Sequence, residues 1–224
     1  RNSMRTVLSL AASQDLKLYS FDISNAYLQA ELKEVIYMEP PPGMNIPADE
    51  CLALMRSIYG TKQGGRMFSD ALDAHLKKLG FKQNVADPCV WTRTRNGKPQ
   101  IITSYVDDCT VAVMDDKARD ELMSEMRERF EIKEGEGQPI NYLLGILIKQ
   151  DLEAGTVTLT QELAATKLAD AFLTEEEKVK ASSVNHPMLH SVVLPRLKEK
   201  EVSKEKFNYL SAIGSLLYLS LIHI

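Results

Sequence analysis

Cysteine and histidine are scarce in this chain. Of its 224 residues only three are Cys and four are His. Cys51, Cys89 and Cys109 show no pairing interval, which argues against a disulfide framework and against a zinc site. They read as buried thiols. His186 and His190 are four apart, but Pro187 lies between them and no further ligand pattern is nearby, so they read as loop residues. No apolar run approaches the ~20 residues that cross a bilayer. The stretch Met4–Ser13 has a positive start and a small-residue end, but its apolar core is too short for a secretory leader, and Arg1 opens the chain. It reads as a buried helix. Neither sign of charge dominates, with 27 basic against 31 acidic side chains and a net charge of -4. What remains is 44% hydrophobic and 26% charged, enough to bury a sizeable core in one domain or two, with nothing that argues for secretion.

Against this background one acidic pair stands out. Asp107 and Asp108 interrupt the apolar stretch Ile101-Ile102-Thr103-Ser104-Tyr105-Val106-Asp107-Asp108-Cys109-Thr110-Val111-Ala112-Val113. Neighbouring side chains of a continuous strand point to opposite faces, so the two acids share a site only if a tight reversal sits at them. The pattern predicts strand, two-acid turn, strand. Carboxylates held together repel unless a cation neutralises them, and hard ions such as Mg²⁺ suit all-oxygen clusters. The competing reading is an ordinary Asp turn or helix cap. Asp115-Asp116, followed by the helical run Lys117–Leu122, is such a cap. A second strand-end acid separates the cases. Leu16–Ile23 alternates polar and apolar residues and delivers Asp22 before a turn or short helix through Asn25–Leu32. Acids this far apart in sequence can meet in a sheet but not in any local structure, although Asp22 alone is also compatible with a cap.

Five segments, in order, resemble the reverse transcriptases of copia-type retrotransposons. They are Phe21-Asp22-Ile23-Ser24-Asn25-Ala26-Tyr27-Leu28, Val35-Ile36-Tyr37-Met38-Glu39-Pro40-Pro41-Pro42-Gly43, Ser57-Ile58-Tyr59-Gly60-Thr61-Lys62-Gln63-Gly64-Gly65-Arg66, Tyr105-Val106-Asp107-Asp108 and Tyr142-Leu143-Leu144-Gly145-Ile146. The likeness runs from about Met4 to Tyr218. It implies an α+β polymerase palm, an antiparallel sheet with helices on one face, and partial fingers within 1–150. A helical thumb or connection segment would occupy 151–224. It implies two Mg²⁺ ions, or Mn²⁺, bridged by Asp22 and Asp107, with Asp108 as a supporting acid and the carbonyl of Ile23 as a further ligand. Tyr27 resembles the aromatic gate that excludes a ribose 2′-hydroxyl; on position alone a core aromatic fits better, and within the motif the gate does. Gln63 resembles a residue that touches the nucleotide, and Lys62 and Arg66 either face phosphates or are solvated. Leu144 and Gly145 fall in what resembles the primer-gripping hairpin; as plain chemistry the segment is an apolar strand.

The partners implied are an RNA or DNA template-primer, deoxynucleoside triphosphates, and the rest of a Pol polyprotein with integrase and ribonuclease H. No membrane is involved, and the location implied is cytoplasmic, in a virus-like particle. The chain reads as a segment of such a polyprotein, without the upstream fingers strands or the downstream ribonuclease H. Missing basic fingers account for a net charge that is awkward for tracking a duplex. The family more often has Ala-Pro before the Arg of the glutamine loop and a Trp after it, where this chain has Gly64-Gly65 and Met67-Phe68, which predicts a looser loop. A second reading is a degenerate nucleic-acid-binding fragment that keeps the fold without turnover.

Periodicity supplies the remaining elements. Helices are expected over Arg66–Leu79, Asp116–Phe130, Gln161–Phe172 and Ser203–Leu219. A hairpin is expected at Arg95-Asn96-Gly97-Lys98 and a turn at Asp151–Thr156. Thr174–Lys180 reads as a charged run and Ser182–Pro195 as a loop.

Overall fold

The structure, a computed structural model, describes residues 2–47, 49–133, 136–181 and 208–220. Helix α1 (Asn2–Ser13) leads into β1 (Lys17–Asp22), a short 3₁₀ turn (Ala26–Gln29), and the strands β2 (Glu31–Met38) and β3 (Leu52–Arg56). Helix α2 (Gly64–Lys78) is followed by β4 (Lys82–Gln83), β5 (Val90–Arg95), β6 (Lys98–Tyr105), β7 (Asp108–Val113) and helix α3 (Asp116–Arg127). Then come β8 (Gln138–Pro139), β9 (Tyr142–Leu143), β10 (Ile146–Asp151), β11 (Thr156–Thr160), and helices α4 (Glu162–Phe172), α5 (Glu175–Ala181) and α6 (Tyr209–Ser220). It is a mixed fold of helices and antiparallel sheet.

The main sheet has six strands in the order β4-β5-β6-β7-β1-β8, with antiparallel pairing throughout. Its register explains its two faces. Tyr19 lies opposite Val111, Val111 opposite Ile102, and Ile102 opposite Trp91, so these four share one side. On that side they form one core with Phe68, Leu72 and Leu76 of α2 and with Ala118, Leu122 and Met126 of α3. The alternating set, Leu18, Ala112, Ile101 and Thr92, faces the other way. A cavity on this second face is lined by Ser3, Thr6, Val7 and Leu10 of α1 together with Val90, Thr92 and Ile101. Helices therefore cover both faces at this end of the sheet, not the single face expected.

Local chemistry sets the boundaries. Asn96 and Gly97 both have positive φ, 53° and 75°, the backbone that a two-residue β-hairpin of the favoured twist requires. Asp115 caps α3 by accepting the N–H of Ala118 at 2.8 Å. Arg93 ties three elements together. Its guanidinium pairs with Glu125 of α3 at 2.5 Å, donates to the carbonyl of Leu79 at 2.7 Å and to Gln100 at 2.6 Å, and lies 4.4 Å over the Phe81 ring.

Several expectations need correction. Only Cys109 is a buried thiol; Cys51 and Cys89 are exposed. Thr174–Lys180 is not merely a charged run, because all but the last residue of α5 falls within it, held by a reciprocal cap. The N–H of Thr174 donates to Glu177 at 2.8 Å, and the N–H of Glu177 donates to the Thr174 hydroxyl at 3.3 Å. Tyr142–Ile148 is not the single apolar strand of the plain reading but two strands, β9 and β10, reversed at Leu144 and Gly145, the hairpin form that the resemblance implied. Strands β2 and β3, unforeseen as a pair, form a separate two-stranded sheet with Val35, Tyr37 and Met55 exposed. The loop 182–195, with His186 and His190, and the first residues expected in the last helix lie outside the described residues.

By packing, the chain divides into residues 1–143 with 148–158 and residues 144–147 with 159–224. No helix among the described residues is long and apolar enough to cross a membrane.

Candidate active site

Strand β1 and the residue that follows it carry Phe21 and Ile23 into the core and leave Asp22 on the opposite side. In register, Asp22 lies directly across from Asp108. The N–H of Ile23 donates to the carbonyl of Asp107 at 3.1 Å, which makes Asp22 and Asp108 a non-hydrogen-bonded pair, the arrangement in which opposed side chains approach most closely. Both acids sit on the sheet face away from α2 and α3.

The reversal falls at Val106 and Asp107, one residue earlier than expected, and Asp108 is the first residue of β7. Val106 has φ of 58°, a left-handed conformation that is an outlier for a β-branched residue. A strained residue thus directly precedes the acidic pair. Like charge accumulates here. Burial, and then the charges of Asp107, Asp108 and Glu136, raise the Asp22 carboxyl above its ordinary range, with Lys133 as a partial offset. Partial desolvation, and then the charges of Asp107 and Glu136, do the same to Asp108, whose side chain stays largely open to solvent.

Glu136 is the acid that sequence reasoning missed. Strand β8 pairs with β1 only at Tyr19 and Ser20, so the N–H of Asp22 on that edge has no strand partner. Instead it donates to the Glu136 carboxylate at 3.1 Å. Glu136 lies in a run with no periodic signal, and only the tertiary pairing of β8 brings it to the site. Tyr59, quoted within a motif but given no role, also belongs here: its hydroxyl donates to Asp107 Oδ2 at 3.3 Å. Its ring lies 4.4 Å from that of Tyr27, which in turn meets Phe68 edge-on at 6.3 Å.

The other candidates are placed less centrally. Gln63 is the N-terminal flanking residue of α2 and makes no side-chain cap. Lys62 and Arg66 are exposed, and Arg66 pairs with Asp70 at 2.8 Å one turn along α2. Gly64 and Gly65 open α2 instead of forming a loop. In the second unit, Leu144 and Gly145 have φ of 49° and 82°, and the Tyr218 hydroxyl donates to the carbonyl of Leu144 at 2.6 Å. Among the described residues, no group of three His, Cys, Asp or Glu side chains converges closely enough to hold a metal unaided.

A family model described as reverse transcriptase (RNA-dependent DNA polymerase) matches residues 1–189, which include all the acids just described. The chain belongs to this reverse transcriptase family. Among its relatives, the retrovirus-related Pol polyprotein from transposon TNT 1-94 of Nicotiana tabacum is 30% identical over 220 residues, covering 96% of this chain and 16% of that protein. The retrovirus-related Pol polyprotein from transposon RE2 of Arabidopsis thaliana is 28% identical over 97% of this chain and 14% of its own length. The Transposon Ty1-DR1 Gag-Pol polyprotein of Saccharomyces cerevisiae is 30% identical over 66% of this chain and 8% of its own length. The family read from the five motifs is borne out. The chain spans only about a sixth of the length of the first of these relatives.

Proposed function

We propose that this segment carries the palm and thumb of an RNA-directed DNA polymerase, one that extends a primer on an RNA or DNA template with deoxynucleoside triphosphates and releases pyrophosphate. The observation that carries the reading is the closely opposed Asp22–Asp108 pair with Asp107 in the adjoining turn, on the face away from α2 and α3. An opposed pair of acids with a third in the adjoining turn, kept at the cost of mutual repulsion and a strained Val106, makes sense if cationic ligands and substrate complete the site.

The donor set fits Mg²⁺ or Mn²⁺, because every candidate ligand is a hard oxygen. Mg²⁺ commonly uses one or two carboxylates together with water and substrate phosphates, so a complete protein cage is not required. Asp22 and Asp107 would hold the ions, with Asp108 and the Ile23 carbonyl in support. When bound, such ions lower the pKa of the primer hydroxyl and neutralise charge on the triphosphate. The chain's own residues supply position. Burial of Phe21 and Ile23 anchors both sides of Asp22, and the Ile23–Asp107 backbone bond sets the spacing between β1 and the acidic turn. Tyr27, braced by Phe68, would lie under the incoming sugar and exclude a 2′-hydroxyl. Leu144 and Gly145 would grip the primer, and Gln63 would touch the nucleotide. The remainder of a Pol polyprotein, including integrase and ribonuclease H, would be the covalent partner.

Primer extension tests this. The polymerase is produced with the flanking sequence of its reading frame and assayed on an RNA template with Mg²⁺, beside Asp107→Asn. Extension is expected from the parent and none from the variant, which loses charge but little volume. A folded parent that extends nothing supports the degenerate fragment; near-normal extension by the variant removes the two-metal assignment.

A further inference from the structure

Tyr59 occupies a position that chemistry makes hard to dismiss as surface decoration. It is 55% exposed, yet both ends of the side chain are engaged by residues of the candidate site. The hydroxyl donates to Asp107 Oδ2 at 3.3 Å. The ring packs on Tyr27 at 4.4 Å with the planes tilted by 42°. Tyr27 continues inward to Phe68, and Phe68 to buried Phe130 at 6.1 Å, so an aromatic series runs from the core to the acidic turn.

The backbone that presents Tyr59 is fixed on both sides. Ser57 is fully buried and its N–H donates to the carbonyl of Ala30 at 3.3 Å. After Tyr59 the chain reverses at Gly60, with φ of 94°, and Thr61 closes the turn on Ile58 through its N–H at 3.2 Å and its hydroxyl at 2.7 Å. The phenol is thereby aimed by a tight, anchored turn.

A carboxylate only accepts hydrogen bonds when ionised, and each oxygen has more than one lone pair. A phenol donor and a cation can therefore share one carboxylate. Hydrogen bonds to metal-binding carboxylates fix their rotation, and losing such a partner typically weakens metal affinity by about 10- to 100-fold.

We propose that Tyr59 is a positioning residue of the polymerase centre, its hydroxyl orienting Asp107 toward the divalent cation and its ring bracing Tyr27 against the incoming sugar. The inference rests on the metal-centre reading above. It adds two separable roles, one for the oxygen and one for the ring.

The test uses the polymerase made with its flanking sequence, with Mn²⁺ as the probe. Mn²⁺ binding is measured by titration calorimetry and electron paramagnetic resonance, and the deoxy-to-ribonucleotide incorporation ratio is measured alongside. Tyr59→Phe keeps the ring and is expected to weaken Mn²⁺ binding about tenfold while leaving the ratio unchanged. Tyr59→Ala is expected to weaken binding as much and also to lower the ratio by about 2- to 10-fold, the scale of one aromatic pair. Asp107→Asn separates the two levels. If it binds Mn²⁺ as tightly as the parent, the metal centre itself is wrongly assigned. If it loses binding while Tyr59→Phe binds like the parent, the hydroxyl's role is overturned and the metal centre stands. Equal incorporation ratios in Tyr59→Ala and the parent overturn the role of the ring.

Discussion

Asp108→Asn is expected to make the metal-free protein more stable, because the change removes one of two like charges held opposite each other across β1 and β7. Directly opposed like charges in a sheet cost on the order of 0.2–1 kcal/mol, and Asp108 is exposed, so solvent screening places the gain toward the low end. For a body of about 150 residues, 1 kcal/mol corresponds to roughly 2–4 °C, so the expected rise in melting midpoint is about 1–2 °C at low salt. Magnesium should act in the opposite sense on the comparison. With half-saturation on the order of 1 mM, 10 mM Mg²⁺ stabilises the parent by about 1.4 kcal/mol, roughly 3–6 °C, and the variant by less. The pH dependence has a definite sign. Asp22 and Asp108 both titrate above the ordinary range in the folded chain, so ionisation is easier in the unfolded one. The penalty is absent where the carboxyls are protonated, below about pH 4, and complete above their raised folded-state values. The gap between variant and parent should open as pH climbs toward 7 and close on acidification. Thermal melts of the purified chain with and without MgCl₂, across that range, read all three effects. A variant less stable than the parent at pH 7 without metal would refute the repulsion argument. So would a magnesium shift in an Asp22→Asn/Asp108→Asn double variant equal to that of the parent.

Two further outcomes follow from the packing. Arg93→Ala should destabilise the first unit by about 1.5–3 kcal/mol in urea unfolding, because it removes the buried guanidinium that Glu125 meets at 2.5 Å while leaving Glu125 its second partner, Arg95; a loss under 1 kcal/mol would show that Arg95 alone satisfies the carboxylate. Val106→Gly should stabilise the fold by about 1 kcal/mol by relieving a positive φ of 58°, while slowing primer extension as the acidic turn loosens. Unchanged stability together with unchanged extension would show that the strain is neither stored nor used.

How much of this was legible in the sequence depends on whether the determinant is local. Strand β1, the Asn96-Gly97 hairpin, the Asp115 cap and helices α2 and α3 follow from alternation, turn chemistry and apolar stripes, all of which act within a few residues. The α5 cap was equally legible, since Thr174-Glu175-Glu176-Glu177 has the spacing of a reciprocal capping box, but the charge of the run obscured it. The acids Asp22, Asp107 and Asp108 were found because carboxylates amid β-formers are costly without a purpose. Glu136 was invisible for the opposite reason. It reaches the site by accepting the Asp22 N–H that β8 leaves without a strand partner, and only the pairing of β8 with β1 brings it there. The β2–β3 sheet was missed because its exposed Val35, Tyr37 and Met55 blur any polar-apolar alternation.

The glycine pair shows how a motif can be recognised correctly and its physics misjudged. Gly64-Gly65, where the family more often has Ala-Pro, suggested a loosened nucleotide loop. Yet a side-chain carbon on Gly64 would come within 2.5 Å of the Ser57 hydroxyl, 2.7 Å of the Thr61 hydroxyl and 3.2 Å of the Ile58 carbonyl. Ser57 is fully buried and has nowhere to move. The missing carbon therefore lets the start of α2 close onto the turn that presents Tyr59. The segment from Ser57 to Gly64 works as one packed piece, with Tyr59 at one end directed at Asp107 and Gln63 at the other opening α2. In this chain the glycine serves the rigidity of the motif more directly than any approach of backbone to ligand.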